Sequence, residues 1–192
     1  MRTLTYTAFV SLDGVVDSPG GGPTETHRAA GWTYKDIEFL EEAYELKGQE
    51  MGEAAALMFG RKSYEAFAPV WPGMAEFAPY KELPKYVVSS TLGDDDLVDN
   101  WGETTVLRSL DEVARIKEAE GGPIFIHGSA SLARSLADAD LLDRYYLLLF
   151  PVLLGAGKRM FSDADKEKQP LELVESKSYS NGVQKLVYEF VR

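Results

Sequence analysis

The chain has 192 residues, a hydrophobic fraction of 45% and no cysteine. One folded domain with its own core is therefore expected, while disulfide frameworks, thiolate metal sites and cysteine nucleophiles are excluded. Twenty Lys and Arg against 31 Asp and Glu give a net charge of -11, which repels nucleic-acid backbones and confines an anionic ligand to a pocket of locally reversed sign.

The longest apolar run, residues 145–154, is too short to cross a bilayer, and no basic-then-apolar leader opens the chain. The expectation is a cytoplasmic protein that binds neither membrane nor nucleic acid. Residues 4–10 alternate and are rich in β-formers, so they predict a strand. Asp13-Gly14 then opens a loop holding Pro19-Gly20-Gly21-Gly22-Pro23, and no periodicity returns before Trp32. A stretch that long is usually a lid or a binding loop.

Residues 33–47 have helical spacing, with Ile37, Leu40 and Tyr44 in one stripe. Asp36 falls about 40° from the centre of that stripe, whereas Glu38, Glu42 and Glu45 point away. A carboxyl group turned inward suits proton donation or the binding of a protonated heterocycle. The plainer reading is a first-turn acid that stabilises the helix dipole.

Residues 54–59 predict a buried strand ending at Gly60, and residues 61–67 a short helix. Pro69, Pro72, Pro79 and Pro84 punctuate the next stretch, where Trp71 and Phe77 form either an apolar wall or ordinary packing. Strands follow at 85–89 and 104–107, then a helix from a Ser109/Glu112 capping box to about Ala119. A buried strand at 123–127, a turn at Gly128 and a helix over 129–136 come next. Residues 144–154 read as a long strand interrupted by Pro151. The strands at 171–178 and 183–191 flank Ser180-Asn181-Gly182, a hairpin signal. This order gives an α/β fold: a single three-layer domain over 1–192, with a mostly parallel central sheet, helices on both faces and an antiparallel C-terminal hairpin.

Two strand-to-helix junctions carry candidate chemistry. At Gly60-Arg61-Lys62-Ser63, Arg61 and Lys62 make a cationic point in an acidic chain, and an Arg fork with an ammonium suits a 2′-phosphate. Solvated basic residues at a turn are the alternative. At His127-Gly128-Ser129-Ala130, Gly128 lets the backbone approach a pyrophosphate, and Ser129 either caps the helix or donates to a ligand. His127 is read as packed or hydrogen-bonded rather than catalytic. Gly155-Ala156-Gly157-Lys158-Arg159 is not a P-loop, because position 152 is not glycine and neither Ser nor Thr follows Lys158. Two histidines do not make a His-rich metal site, so no metal is expected.

Five segments in this order resemble the dihydrofolate reductase superfamily, in particular stand-alone relatives of the reductase domain of the riboflavin-biosynthesis deaminase-reductase. They are Ser11-Leu12-Asp13-Gly14; Gly60-Arg61-Lys62-Ser63-Tyr64-Glu65; Lys85-Tyr86-Val87-Val88-Ser89-Ser90-Thr91; Ile126-His127-Gly128-Ser129-Ala130; and Leu141-Leu142-Asp143 leading into residues 151–157. The resemblance runs nearly end to end. It implies an NADPH-dependent reductase that transfers hydride to a small heterocycle, such as the ribosylaminopyrimidine of riboflavin synthesis or a pterin.

The resemblance further implies that Gly60, Arg61, Lys62 and Ser63 hold NADPH phosphates and that Ser89 and Ser90 line the adenosine pocket. Gly128, Ser129 and Ala130 would take the pyrophosphate, Ala8 would border the nicotinamide, and the loop from Asp13 would act as a lid. Trp32 and Asp36 reproduce the spacing of the family's tryptophan and substrate-binding acid, which makes Asp36 the candidate catalytic residue. The chain departs from the pattern at His127, which replaces the first glycine of a Gly-Gly pair, and the deaminase half with its zinc ligands has no counterpart. Relatives with this C-terminal pattern look like homodimers, so a homodimer is expected. The alternative is a non-catalytic NADP(H)-binding sensor or partner module on the same fold.

Overall fold

A computed structural model describes residues 1–22, 25–161 and 167–192; Pro23, which closes the glycine-rich loop, lies outside them. In chain order the elements are β1 (Leu4–Ser11), α1 (Glu45–Glu53), β2 (Ala56–Gly60), α2 (Arg61–Phe67), β3 (Lys85–Val88), β4 (Thr104–Leu107), α3 (Leu110–Glu118), β5 (Ile124–His127), α4 (Ala130–Asp138), β6 (Arg144–Phe150), β7 (Leu171–Ser178) and β8 (Gln184–Phe190). The strands form an eight-stranded sheet in the order β4-β3-β2-β5-β1-β6-β8-β7. This is the α/β class with a largely parallel sheet and antiparallel closing strands that the sequence predicts. By contacts the chain groups into two compact units, Met1–Tyr6 with Gln49–Asp143, and Thr7–Gly48 with Arg144–Arg192.

In the first unit β2 runs parallel to both β3 and β5, and β3 parallel to β4. Leu57, Met58, Phe59, Ile124 and Ile126 are buried, as expected for strands covered on both faces. Ser109 caps α3 by accepting the Glu112 N–H. The Glu112 carboxylate returns to the Arg108 N–H at 2.6 Å, one residue before the partner a capping box would use. Helix α4 buries Leu132, Ala133 and Leu136, the inward positions that its periodicity predicts.

The proline-rich stretch forms 3-10 turns at Trp71–Gly73 and Ala75–Tyr80. Fully buried Lys85 anchors it, donating to the carbonyls of Tyr80 (2.7 Å) and Lys81 (2.6 Å) with its ammonium 4.9 Å from the centre of the Trp101 ring. Burial pushes the Lys85 ammonium down to about 8, against a weaker opposing pull from Glu82. The unfolded chain keeps this proton to about pH 10.4, so it binds more protons than the folded state above pH 8, and stability rises with pH across that window. Melting between pH 7 and 9.5 is expected to show the rise in the native protein and to lose it in Lys85→Met.

In the second unit β8 pairs antiparallel with β6 and β7. Strand β6 stops at Phe150 rather than running to Leu154, because Pro151 has no N–H for the ladder. The hairpin forms as predicted: Gly182 takes φ +85° and donates to the Tyr179 carbonyl at 3.0 Å. Buried Lys185 sits between the carboxylates of Glu175 (2.5 Å) and Glu45 (3.2 Å).

The helix predicted over 33–47 is not formed. The Trp32 indole N–H donates to the Asp17 carbonyl (2.8 Å) and the Thr33 hydroxyl to that of Pro19 (2.9 Å), while the N–H groups of Tyr34 and Lys35 turn back to Gly31. These bonds commit the segment to the preceding loop. Helical backbone begins at a 3-10 turn, Glu41–Tyr44, and α1 continues through Gly48 and Gly52 to Glu53. Each interior glycine costs about 1 kcal/mol; complete burial of Leu46 on this helix offsets that preference. Asp36 therefore lies exposed in a bend and is not turned inward on a helix.

Candidate functional site

Parallel register decides where the functional side chains of the first unit emerge. Gly60 lies opposite Val88, Val88 opposite Leu107, and Met58 opposite Ile126. The chain therefore leaves these strands at one carboxyl edge, where Arg61, Ser89, Arg108 and Gly128 follow in turn. Open α/β sheets bind their ligands at such an edge.

Two serines join the β2 and β5 junctions. The Ser129 hydroxyl accepts the Gly60 N–H at 2.8 Å, and the Ser63 hydroxyl accepts the Ser129 N–H at 2.9 Å. The Gly128 carbonyl accepts a hydrogen bond from the Tyr6 hydroxyl at 2.9 Å. Gly128 itself has φ +67°, and a Cβ there would stand 2.8 Å from Ser63 Oγ, so only glycine fits. Each serine oxygen, already accepting an N–H, keeps its own proton to give away. Two such donors beside exposed Arg61 and Lys62 suit phosphate oxygens. Ala130, the first residue of α4, is buried.

Around Ser89 a turn is tied together from within. The Ser89 hydroxyl accepts the N–H groups of Thr91 (3.2 Å) and Leu92 (3.0 Å). Arg108 donates to the carbonyls of Ser89 (3.0 Å) and Leu92 (2.7 Å). Arg61 reaches the same turn, donating to the Thr91 hydroxyl at 2.8 Å, while its Nε meets Glu65 at 2.6 Å. Buried Ser89 thus shapes the turn, and Ser90 stands exposed on it. Arg108 did not emerge from motif reasoning, although its place directly after a parallel strand was a usable signal.

His127 is packed, as its place at a strand end suggests. Its Nε2 lies 2.8 Å from Glu50 Oε1 without making a hydrogen bond to it. The Tyr80 hydroxyl donates to the same carboxylate oxygen at 2.7 Å; burial, reinforced by the Glu50 charge, holds that hydroxyl protonated well beyond its ordinary range. Trp71 stacks on Phe67 at 4.4 Å and on Phe77 at 4.2 Å, so both its faces are covered and packing accounts for the pair Trp71 and Phe77.

Ala8 and Asp36 belong to the second unit, Ala8 on β1 and nearly buried, Asp36 exposed. The Asp13 carboxylate there accepts the Ser11 hydroxyl (2.7 Å) and the N–H groups of Leu154 (3.1 Å) and Gly155 (2.8 Å), which hold it at about 2. Backbone bonds from Val16 to Lys158 and from Met160 to Gly14 continue this seam. The start of the loop expected to act as a lid is thus bonded along the segment after β6, and Lys158 and Arg159 belong to the seam.

Sheet order and strand direction place the chain among α/β proteins of the dihydrofolate reductase-like fold. Two solved structures share the fold: a protein assigned by name to riboflavin biosynthesis from Shewanella sp. PV-4 (TM-score 0.75, 16% identity, 99% of each chain), and dihydrofolate reductase from Enterococcus faecalis complexed with NADP(H) and RAB-propyl (TM-score 0.57, 15% identity, 99% of this chain and 97% of that one). The profile of the RibD C-terminal domain matches residues 2–185, and the chain belongs to that family. Among its relatives are two uncharacterized proteins of Bacillus subtilis (strain 168). YyaP is 30% identical over 147 residues, covering 73% of this chain and 76% of its own. YwjB is 26% identical over 189 residues, covering 95% of each. The fold is thus of reductase type, and among the described residues no helix is long and apolar enough to cross a membrane.

Proposed function

We propose that the protein is an NADPH-dependent reductase that transfers hydride to a small heterocyclic substrate, resembling 5-amino-6-(5-phosphoribosylamino)uracil reductase or a dihydrofolate or pterin reductase. The observation that carries this reading is the serine clasp at Gly60 and Gly128, with its free hydroxyl protons beside Arg61 and Lys62. NADPH would supply the hydride. Ser63 and Ser129 donate to the pyrophosphate, next to the close approach that Gly128 allows and the start of α4 at Ala130. Arg61, Lys62 and the Ser89–Ser90 turn take the adenosine side. Hydride transfer needs no protein nucleophile, so positioning is what the chain contributes.

Ala8 keeps its proposed place beside the nicotinamide on family resemblance alone. Asp36 keeps its proposed role in orienting or protonating the substrate on its spacing from Trp32. The test is substrate-dependent oxidation of NADPH by the purified protein, with the pyrimidine and with dihydrofolate offered separately. Turnover of either substrate supports the reading, and tight cofactor binding with no reduction of any heterocycle in a screen would replace it with the sensor alternative. The same reading keeps the expectation of a cytoplasmic location and takes the protein as a homodimer, since all eight residues of the edge strand β7 are exposed. Sedimentation is expected to give twice the chain mass, and a single-chain mass at micromolar concentration would refute it.

A further inference from the structure

We infer that Glu65 competes internally for Arg61 and so sets how strongly the site prefers a phosphorylated over an unphosphorylated adenosine ribose. The inference rests on the reading of this edge as the adenosine side of a cofactor site. Glu65 stands one helical turn after Arg61 on α2 and takes its Nε at 2.6 Å, while Nη1 of the same guanidinium goes to Thr91. A guanidinium grips phosphate through paired donors on one edge, and Glu65 already holds the Nε donor. An arriving phosphate must displace this carboxylate or share the guanidinium with it at close range.

The pair is suited to opening. Its side chains are 43% and 45% exposed, and Arg precedes Glu, the weaker order for partners four apart on a helix. The charge of Asp96 also acts on Arg61, so the cation lies among acids rather than in a plain basic patch. Arg61 thus stays ordered without a ligand, and the site discriminates less between phosphorylated and plain ribose than its cations alone would. Neutralising Glu65 removes both a competitor and a repulsion.

The test is calorimetric titration of adenosine 2′-monophosphate and of adenosine into the native protein, Glu65→Gln, Arg61→Gln and the double variant, at one ionic strength. Glu65→Gln is expected to bind the monophosphate roughly three- to fivefold tighter, the size of one screened charge interaction near a surface, with adenosine unchanged. The gain should disappear in the Arg61→Gln background. A tighter complex is not what loss of a merely structural ion pair produces, so the sign of the change is the readout. Unchanged or weaker monophosphate binding by Glu65→Gln would overturn the inference and make Glu65 a residue that positions Arg61. If no protein in the set distinguishes the two ligands, the inference falls together with the phosphate reading. A gain for the monophosphate without oxidation of NADPH by any substrate would count against the reductase reading alone.

Discussion

Replacing Arg61 by Gln is expected to weaken NADPH binding about ten- to a hundredfold and to leave NADH binding unchanged. The two cofactors differ only in the ribose 2′-phosphate, so a residue that binds that group must separate them. A hydrogen bond to a charged partner contributes about 1.5–3 kcal/mol, and each 1.4 kcal/mol is roughly tenfold in affinity. Thermal stability should hardly move, because the Arg61–Glu65 pair is exposed and such pairs are worth about 1 kcal/mol or less. Calorimetry with both cofactors checks this, and an equal loss for both would place Arg61 elsewhere than on the phosphate.

Trp101→Ala carries the largest stability effect, about 3–5 kcal/mol. Trp101 is fully buried, its ring 5.2 Å from Phe59 on β2 and 5.9 Å from Tyr64 on α2. Tyr64 in turn accepts the Val98 N–H at 3.0 Å. A void there loosens the strand and the helix that present Gly60, Arg61 and Ser63, so cofactor affinity should fall together with stability. For a chain of this size each kcal/mol lowers the melting temperature by about 2–4 °C, which puts the drop near 10 °C. Trp101→Phe should recover most of it. A loss under about 1 kcal/mol in denaturant titration would show that Trp101 is not part of this core.

Much of the fold was legible because local signals agreed with tertiary demands. Gly60, Gly128 and the residues after β2 and β5 announced two strand-to-helix junctions, and parallel pairing brought both to one edge. The segment at 33–47 departs from its helical apolar spacing because its first residues are spent on loop contacts. Trp32 and Thr33 bond to Asp17 and Pro19, long-range choices that no periodicity encodes. The continuation of α1 through two glycines is the same lesson reversed, since burial of Leu46 offsets their cost. Within the site, Arg61 and Lys62 are visible in the sequence, but the turn-shaping role of Arg108 and the carboxylates of Glu65 and Asp96 around Arg61 are not. Only the folded chain shows which partner each charge has taken.

The most direct test of the central claim is titration of the intrinsic tryptophan fluorescence with NADPH beside NADH. Micromolar or tighter binding of NADPH, at least about tenfold stronger than that of NADH, is the predicted result. Equal and very weak binding of both would contradict the assignment of Arg61, Ser63, Gly128 and Ser129 to a cofactor, and the proposed reductase activity with it.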